Sequence, residues 1–193
     1  MPEPTDLIVT CPHCGKTHTV NASSPAPDQP SLFSPPTPKP KPAPAKPAPG
    51  NRSFILNFDG GSRGNPGPGG IGVVLSTDDG VGLYELGESL GRCTSNVAEY
   101  TALIRGLHAA LAWQASKLLI RADSELVVRQ LSGQYKVKSP DLRPLYEQAV
   151  DLMEQIPEVK VLHVYREDNK RCDALANAAM DKKGKLEPLG PLP

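Results

Sequence analysis

The sequence has few cysteines, no excess of either charge and no long apolar run. Four cysteines among 193 residues do not suggest the disulfide framework of small secreted domains. Lysine plus arginine and aspartate plus glutamate number 21 each, so any affinity for a polyanion must come from local basic clusters and bound cations. No run approaches the ~18 apolar residues of a membrane span, and no basic segment precedes an apolar one at the N-terminus. These absences predict a cytoplasmic protein with reduced thiols and no membrane partner.

Proline is abundant and unevenly distributed. Of the 22 prolines, 14 lie in the first 50 residues. Proline fixes φ and removes a backbone donor, so residues 21–50, which contain PPTPKPKPAPAKPAPG, are predicted to be a disordered linker. Two alternatives are open for the lysines of this linker: they are solvated, or they lie along the phosphate backbone of a nucleic acid. The residues after 50 are numerous enough to bury one hydrophobic core. We predict a folded domain over residues 51–185 and a flexible tail over 186–193.

The first 20 residues form a separate head with a CxxC pair. Apolar and polar residues alternate around Cys11-Pro-His-Cys14-Gly, which is typical of one knuckle of a zinc ribbon. A structural zinc site needs four ligands, and His18 or a second copy of the chain would have to complete it, since His13 lies inside the knuckle. The alternative is a hairpin with free thiols.

The patterning of residues 51–185 predicts an α/β domain. Strands are expected at residues 53–59, 71–76, 81–90, 117–122 and 159–165, with Asp79-Gly80 as a hairpin turn and the segment GGSRGNPGPGG as turn only. Helices are expected from a cap at residues 94–96 to 113, from 124 to 131, from Ser139-Pro140 to about 156, and from 170 to 182. This order predicts a mixed sheet with helices packed on its faces.

Four acids stand at the predicted ends of strands and starts of helices. Asp59 and Asp123 end strands, whereas Glu99 and Asp173 lie in first helical turns. A charged acid at the end of a buried strand costs free energy unless a positive group pairs with it. All four acids could converge on one edge of the sheet. Taken singly, each also has a structural explanation as turn, cap or helix-dipole residue.

Four segments around these acids resemble the ribonuclease H type 1 family. They are FDGGSRGNPGPGGIG, TSNVAEYTALIRGL, IRADSELVVRQLSG and REDNKRCDALANAAM, and the resemblance covers about residues 53–182. It implies a ribonuclease H-like fold, with a five-stranded mixed sheet in order 3-2-1-4-5 whose first three strands are antiparallel. It also implies that Asp59, Glu99, Asp123 and Asp173 are catalytic and hold metal ions. Oxygen ligands of this kind suit Mg²⁺ or Mn²⁺.

The resemblance further implies an endoribonuclease that cuts the RNA strand of RNA–DNA hybrids with two metal ions, leaving 5′-phosphate and 3′-hydroxyl ends. Reading the 2′-hydroxyl is what separates RNA from DNA. The positions that match the family's contacts to RNA are Gly61, Ser62 and Asn65. Those that match its contacts to the DNA strand and to phosphate are Thr94, Ser95 and Asn96, which could also act as a helix cap alone.

The sequence also departs from the best-known bacterial members. The glycine-flanked histidine loop before the last helix is shortened to YREDNKR, so we predict His163 to be structural and Arg166 to be an accessory phosphate-facing group. The basic protrusion is replaced by GQYKVKSPDL, in which Lys136 and Lys138 either contact the hybrid or are solvated. Glu125 stands where the family has an amide, which puts that RNA contact in doubt.

Rival functions remain open from the sequence. They are a non-cleaving nucleic-acid-binding adaptor on the same fold, a nuclease for double-stranded RNA or RNA–DNA junctions, and a zinc-mediated interaction module. The intact set of acids argues against the adaptor. We expect a monomer whose partner is RNA–DNA hybrid, with no obligate protein partner.

Overall fold

The computed structural model describes residues 7–10, 17–20, 52–181 and 185–186, with side chains for 52–181. The chain divides into two units, residues 1–43 and 44–193. The predicted linker, Cys11, Cys14 and the tail beyond residue 186 lie outside the described residues. The predicted domain boundaries therefore stay predictions.

The first unit contains an antiparallel pair, β1 (Leu7–Thr10) and β2 (Thr17–Val20). Thr10 pairs with Thr17, so residues 11–16 connect the two strands, and His18 pairs with Val9. Zinc binding by Cys11, Cys14 and His18 stays a prediction.

The second unit alternates strands and helices as the sequence predicts. Its strands are β3 (Ser53–Ser62), β4 (Gly67–Thr77), β5 (Gly82–Cys93), β6 (Lys117–Ala122), β7 (Glu158–His163) and β8 (Lys185–Leu186). Its helices are α1 (Ser95–Ala112), α2 (Glu125–Leu131), α3 (Arg143–Met153), a 3-10 turn (Arg166–Asp168) and α4 (Lys170–Asp181). Within the described residues, no helix is long and apolar enough to cross a bilayer.

The sheet has the order β7-β6-β3-β4-β5-β8. β3, β4 and β5 are antiparallel neighbours, while β6 and β7 run parallel to β3. The predicted order 3-2-1-4-5 is therefore confirmed, with β3 to β7 as the predicted strands 1 to 5. The two-residue strand β8 was not predicted, and it pairs with Gly87 and Glu88 on the outer edge of β5.

The central strand β3 separates two packed layers. Its side chains alternate between the faces of the sheet. Leu56 is fully buried and meets α1 so closely that a Cβ on Gly106 would lie 2.4 Å from it. On the other face, a Cβ on Gly72 of β4 would lie 2.0 Å from the Cys172 carbonyl oxygen of α4. Helices thus cover both faces, as the element order predicts.

Several predicted boundaries are wrong, including the start of the third helix and the extent of the glycine-rich turn. The third helix begins at Arg143, not at Ser139-Pro140, and carries Pro144 in its first turn. Had the helix begun at Pro140, Pro144 would lie in its interior, where the ring clashes and the missing N–H breaks the ladder. The segment GGSRGNPGPGG is not turn only, because Gly60, Gly61 and Ser62 continue β3 and pair with residues 69–71 of β4.

Candidate active site

Asp59 lies inside β3 rather than at its end, opposite Gly72. Two glycines neighbour Asp59, Gly60 next in β3 and Gly72 opposite in β4, and they let α1 and α4 approach the sheet closely. A Cβ on Gly60 would lie 2.4 Å from the Glu99 backbone nitrogen, so the backbone of α1 passes directly over the strand at this point. The close approach brings Asp59 and Glu99 to one place in the fold.

Glu99 is the fifth residue of α1, after a first turn that contains no acid. The prediction that it lies in the first turn is therefore wrong, which weakens the helix-dipole explanation for this acid. The cap itself is confirmed, since Thr94 Oγ1 accepts from Val97 N at 3.3 Å. The Glu99 carboxylate accepts a hydrogen bond from Ser124 Oγ at 2.9 Å.

Asp123 directly follows β6, as predicted, and an unpredicted asparagine holds it. Asn169 is 2% exposed, and its Nδ2 donates to the Phe58 carbonyl oxygen at 2.8 Å and to Asp123 Oδ1 at 3.0 Å. Its backbone carbonyl also accepts from Asp173 N at 3.1 Å. Asn169 therefore links the third acid to β3 through its side-chain amide and contacts α4 through its backbone carbonyl.

Asp173 lies in the first turn of α4, as predicted. One carboxylate oxygen pairs with the Arg166 guanidinium, and the other accepts from Asn177 Nδ2 at 3.0 Å. The Arg166 side chain is 74% exposed, so this ion pair lies open to solvent. Asn177, one turn after Asp173 on the same helix face, is a second polar partner that was not predicted from the sequence.

All four acids line one open cavity of about 610 Å³. The arginines among the lining residues are Arg63 and Arg166, so acids outnumber cations there. The prediction that the acids converge is consistent with this geometry, whereas their catalytic role stays a prediction.

Burial and mutual repulsion perturb two of the acids. Burial, with added repulsion from Asp123 and Asp173, raises the pKa of Asp59 to about 6. Burial, with added repulsion from Asp59 and Asp123, raises the pKa of Glu99 to about 7, against the hydrogen bond from Ser124. Perturbed acids in a cavity are typical of functional sites, and a cation would relieve the repulsion.

The donor set fits a hard divalent cation, because carboxylate oxygens are the ligands that Mg²⁺ and Mn²⁺ prefer. Between residues 52 and 181, however, no three His, Cys, Asp or Glu side chains are already gathered closely enough to be a preformed metal cluster. Glu99, Asp123 and Asp173 are held in their present positions by hydrogen bonds from Ser124, Asn169, Arg166 and Asn177. Coordination of one ion by three of these side chains would therefore require side-chain adjustment.

The structure brings some of the predicted substrate-binding residues to this cavity and leaves others outside it. Lining residues are Gly61, Ser62, Ser95 and Arg166. Asn65 is adjacent, because its Oδ1 accepts from Ser95 N at 3.2 Å. Thr94 and Asn96 flank Ser95 without lining the cavity. Lys136 and Lys138 are exposed loop residues that are not among the lining residues.

His163 is the last residue of β7 and is exposed, with its Nε2 3.3 Å from the Asp123 carbonyl oxygen. It does not line the cavity. The strand was predicted to run to Tyr165, but only Val164 continues the pairing, through its N–H to the Ala122 carbonyl oxygen at 2.9 Å. Tyr165 lies beyond the strand and is 76% exposed.

Comparisons with known proteins agree with this architecture. A family model described as reverse transcriptase-like matches residues 57–179. The bifunctional protein Rv2228c of Mycobacterium tuberculosis is 48% identical over 128 residues, which are 66% of this chain and 35% of that protein. The chain thus spans about a third of the length of this relative.

Two solved structures are similar over nearly their whole length. RNase H1 from the archaeon Halobacterium salinarum is 43% identical with a TM-score of 0.65, over 67% of this chain and 98% of that one. LC11-RNase H1, isolated from compost and solved in complex with RNA/DNA hybrid, is 43% identical with a TM-score of 0.62, over 66% of this chain and 96% of that one. Sequence, sheet order and these matches agree, and the chain belongs to the ribonuclease H family.

Proposed function

We propose that this protein is an endoribonuclease that hydrolyses the RNA strand of RNA–DNA hybrids and leaves 5′-phosphate and 3′-hydroxyl ends. The observation that carries the proposal is the cavity that Asp59, Glu99, Asp123 and Asp173 line together. Each acid comes from a different element, so the fold itself assembles the set. Enzymes of the ribonuclease H family are metal-dependent, and this donor set suits that chemistry.

The four carboxylates are the residues that would hold two Mg²⁺ or Mn²⁺ ions. Such ions supply an activated water and neutralise charge on the reacting phosphate. The protein's own contribution is to position the carboxylates and the phosphate. Ser124 and Asn169 orient Glu99 and Asp123, while Arg166 offers a guanidinium to a phosphate once it leaves Asp173.

Recognition of the hybrid is proposed for the glycine-rich end of β3 and the first turn of α1. Gly61, Ser62 and Ser95 line the cavity beside the acids, and Ser62 Oγ lies 3.1 Å from Ser95 Oγ. The glycine-rich end of β3 has no bulky side chains, so the substrate backbone can come close. Hydrogen bonds at that distance can distinguish a 2′-hydroxyl. The solved complex of LC11-RNase H1 with RNA/DNA hybrid supports this choice of substrate.

A substrate panel tests the proposal. The full-length protein is incubated with end-labelled RNA–DNA hybrid, RNA duplex, DNA duplex and an RNA–DNA junction, each with Mg²⁺, Mn²⁺ or a chelator. We expect cleavage of the RNA strand of the hybrid with either metal and none with chelator. Binding without cleavage would favour the adaptor, and preferential cleavage of RNA duplex or junction would replace the hybrid as substrate.

Cytoplasmic localisation, a monomeric state and a zinc-binding head on Cys11, Cys14 and His18 also stay proposals. Zinc content of the purified chain and of a Cys11→Ser, Cys14→Ser variant would test the last of these.

A further inference from the structure

The glycine-rich loop carries an arginine that the proposed metal site does not use. Arg63 follows Ser62 at the end of β3 and lines the cavity, with its side chain 53% exposed. Its Nε and Nη2 donate to Asp181 Oδ1 at 3.0 and 2.7 Å. Asp181 is the last residue of α4, and its side chain is 62% exposed. An ion pair this open to water contributes little to stability, so its partners can be exchanged readily.

The loop backbone around Arg63 is fixed on both sides. Arg63 N donates to the Pro68 carbonyl oxygen at 2.9 Å, which closes the loop. Ser95 at the start of α1 contacts Ser62 Oγ through its hydroxyl at 3.1 Å and donates its N–H to Asn65 Oδ1 at 3.2 Å. The side chain of Arg63 can therefore change partner while its backbone stays in place.

The two arginines of the cavity are held at opposite ends of one helix. Arg166 pairs with Asp173 in the first turn of α4, and Arg63 pairs with Asp181 in its last turn. Eight helical residues span about 12 Å. That distance is roughly the axial rise of three to four nucleotides along one strand. Arg63 is thus placed for a phosphate several nucleotides from the one at the acids.

We propose that Arg63 binds a backbone phosphate of the nucleic-acid substrate. In the free protein Asp181 occupies the Arg63 guanidinium, and the substrate phosphate displaces the Asp181 carboxylate. This inference rests on the proposed function. A planar guanidinium binds a phosphate through two parallel hydrogen bonds, and a polyanion offers a stronger partner than one exposed carboxylate. Asp181 is then an internal competitor that lowers affinity for the substrate.

The test compares Arg63→Ala, Arg63→Lys, Asp181→Asn and the double variant Arg63→Ala, Asp181→Asn in the full-length chain. Dissociation constants for a fluorescent RNA–DNA hybrid are measured in an Asp59→Asn background at several salt concentrations. KM and kcat for cleavage are measured without that change, and thermal unfolding checks that each variant is folded. The control is the exposed pair Arg143–Glu147 on α3, through Arg143→Ala and Glu147→Gln.

The two single changes should act in opposite directions. Arg63→Ala should weaken binding about three- to tenfold and reduce the slope of log affinity against log salt by about 0.9, as expected for one lost phosphate contact. Asp181→Asn should tighten binding about two- to fivefold, the range of an exposed ion pair. It should have no effect when Arg63 is already alanine. Arg63→Lys should keep the salt dependence, because the charge remains, but should lose part of the affinity, because an ammonium cannot form the two parallel hydrogen bonds. The changes should appear in KM more than in kcat, and the control pair should have no effect.

Three results would overturn the inference alone, while the wild type still cleaves hybrid. Equal weakening by Arg63→Ala and Asp181→Asn would make the pair a structural tie between loop and helix. Tightening by Asp181→Asn that persists without Arg63 would be a general effect of surface charge. No change from either variant would remove Arg63 from the binding surface. A wild-type protein that neither binds nor cleaves hybrid would instead overturn the proposed function, and the inference with it.

Discussion

The raised pKa values of two cavity acids predict an unusual dependence of stability on pH. The pKa of Asp59 is raised to about 6 from an ordinary 3.8, and the pKa of Glu99 is raised to about 7 from 4.5. Between pH 4 and 7 the folded protein therefore binds more protons at these sites than the unfolded chain. By linkage, the free energy of unfolding of the metal-free protein should fall as pH rises through this window.

The size of the effect follows from the shifts. Each pKa unit corresponds to about 1.4 kcal/mol, but part of each shift acts below pH 5 and does not count toward the difference between pH 5 and 8, and two interacting sites do not titrate independently. We therefore expect a loss on the order of 3 kcal/mol between pH 5 and 8. For a domain of this size that loss lowers the unfolding temperature by roughly 10 °C.

Urea unfolding followed by circular dichroism, with chelator at pH 5 and pH 8, measures this difference. Millimolar Mg²⁺ should restore stability at pH 8 and much less at pH 5, where protons compete for the carboxylates. Asp59→Asn should flatten the pH dependence, whereas Asp151→Asn on the exposed surface of α3 should leave it as in the wild type. A metal-free stability that is constant or rises from pH 5 to 8 would refute the reasoning, as would a wild-type slope in Asp59→Asn.

Two further changes test how the site is assembled. Gly60→Ala would place a Cβ 2.3 Å from the Ala98 carbonyl carbon and should destabilise the fold by roughly 3 kcal/mol in urea unfolding. Gly82→Ala, where no atom lies within 4 Å, should stay within about 0.5 kcal/mol, and equal effects would contradict the close approach of α1 to β3. Asn169→Ala removes the bonds to the Phe58 carbonyl oxygen and to Asp123 and should weaken Mg²⁺ binding about 10- to 100-fold. An unchanged Mg²⁺ titration would show that Asn169 does not orient the acid.

The helices and strands of the second unit could be predicted because the spacing of apolar residues agrees there with the cap and turn residues. Thr94 and Ser124 cap helices as their positions indicate, and Asp79-Gly80 forms the predicted turn, with Gly80 at a φ of 86°. The acids come together because the sheet order and the close packing of α1 and α4 put β3, the end of β6 and two helix starts side by side.

The errors occur where tertiary packing overrides the local signal. A run of glycines normally indicates a turn, but here Gly60 and Gly61 extend a strand, and α1 approaches Gly60 too closely for a larger side chain. Ser139-Pro140 resembles a helix start, but Pro144 four residues later is better placed in a first turn.

The missed polar residues have no distinctive local pattern. Asn169 could be noticed only as an asparagine four residues before an acid at a helix start, and its burial beneath Asp123 depends on how β3, β6 and α4 meet. The pair between Arg63 and Asp181 joins residues 118 positions apart, so only the fold reveals it. Strand β8 is two residues long, too short for periodicity to predict.

Single-turnover cleavage of hybrid by four variants tests the central claim most directly. Asp59→Asn, Glu99→Gln, Asp123→Asn and Asp173→Asn each keep the shape of the side chain and remove one charged ligand. With Mg²⁺ in excess, each should lose at least about a hundredfold in cleavage rate, more than a supporting residue would, while still binding hybrid. Asp151→Asn is the control and should cleave at the wild-type rate. Full cleavage by any one of the four variants would remove that acid from the metal site and contradict the claim that all four form one catalytic centre.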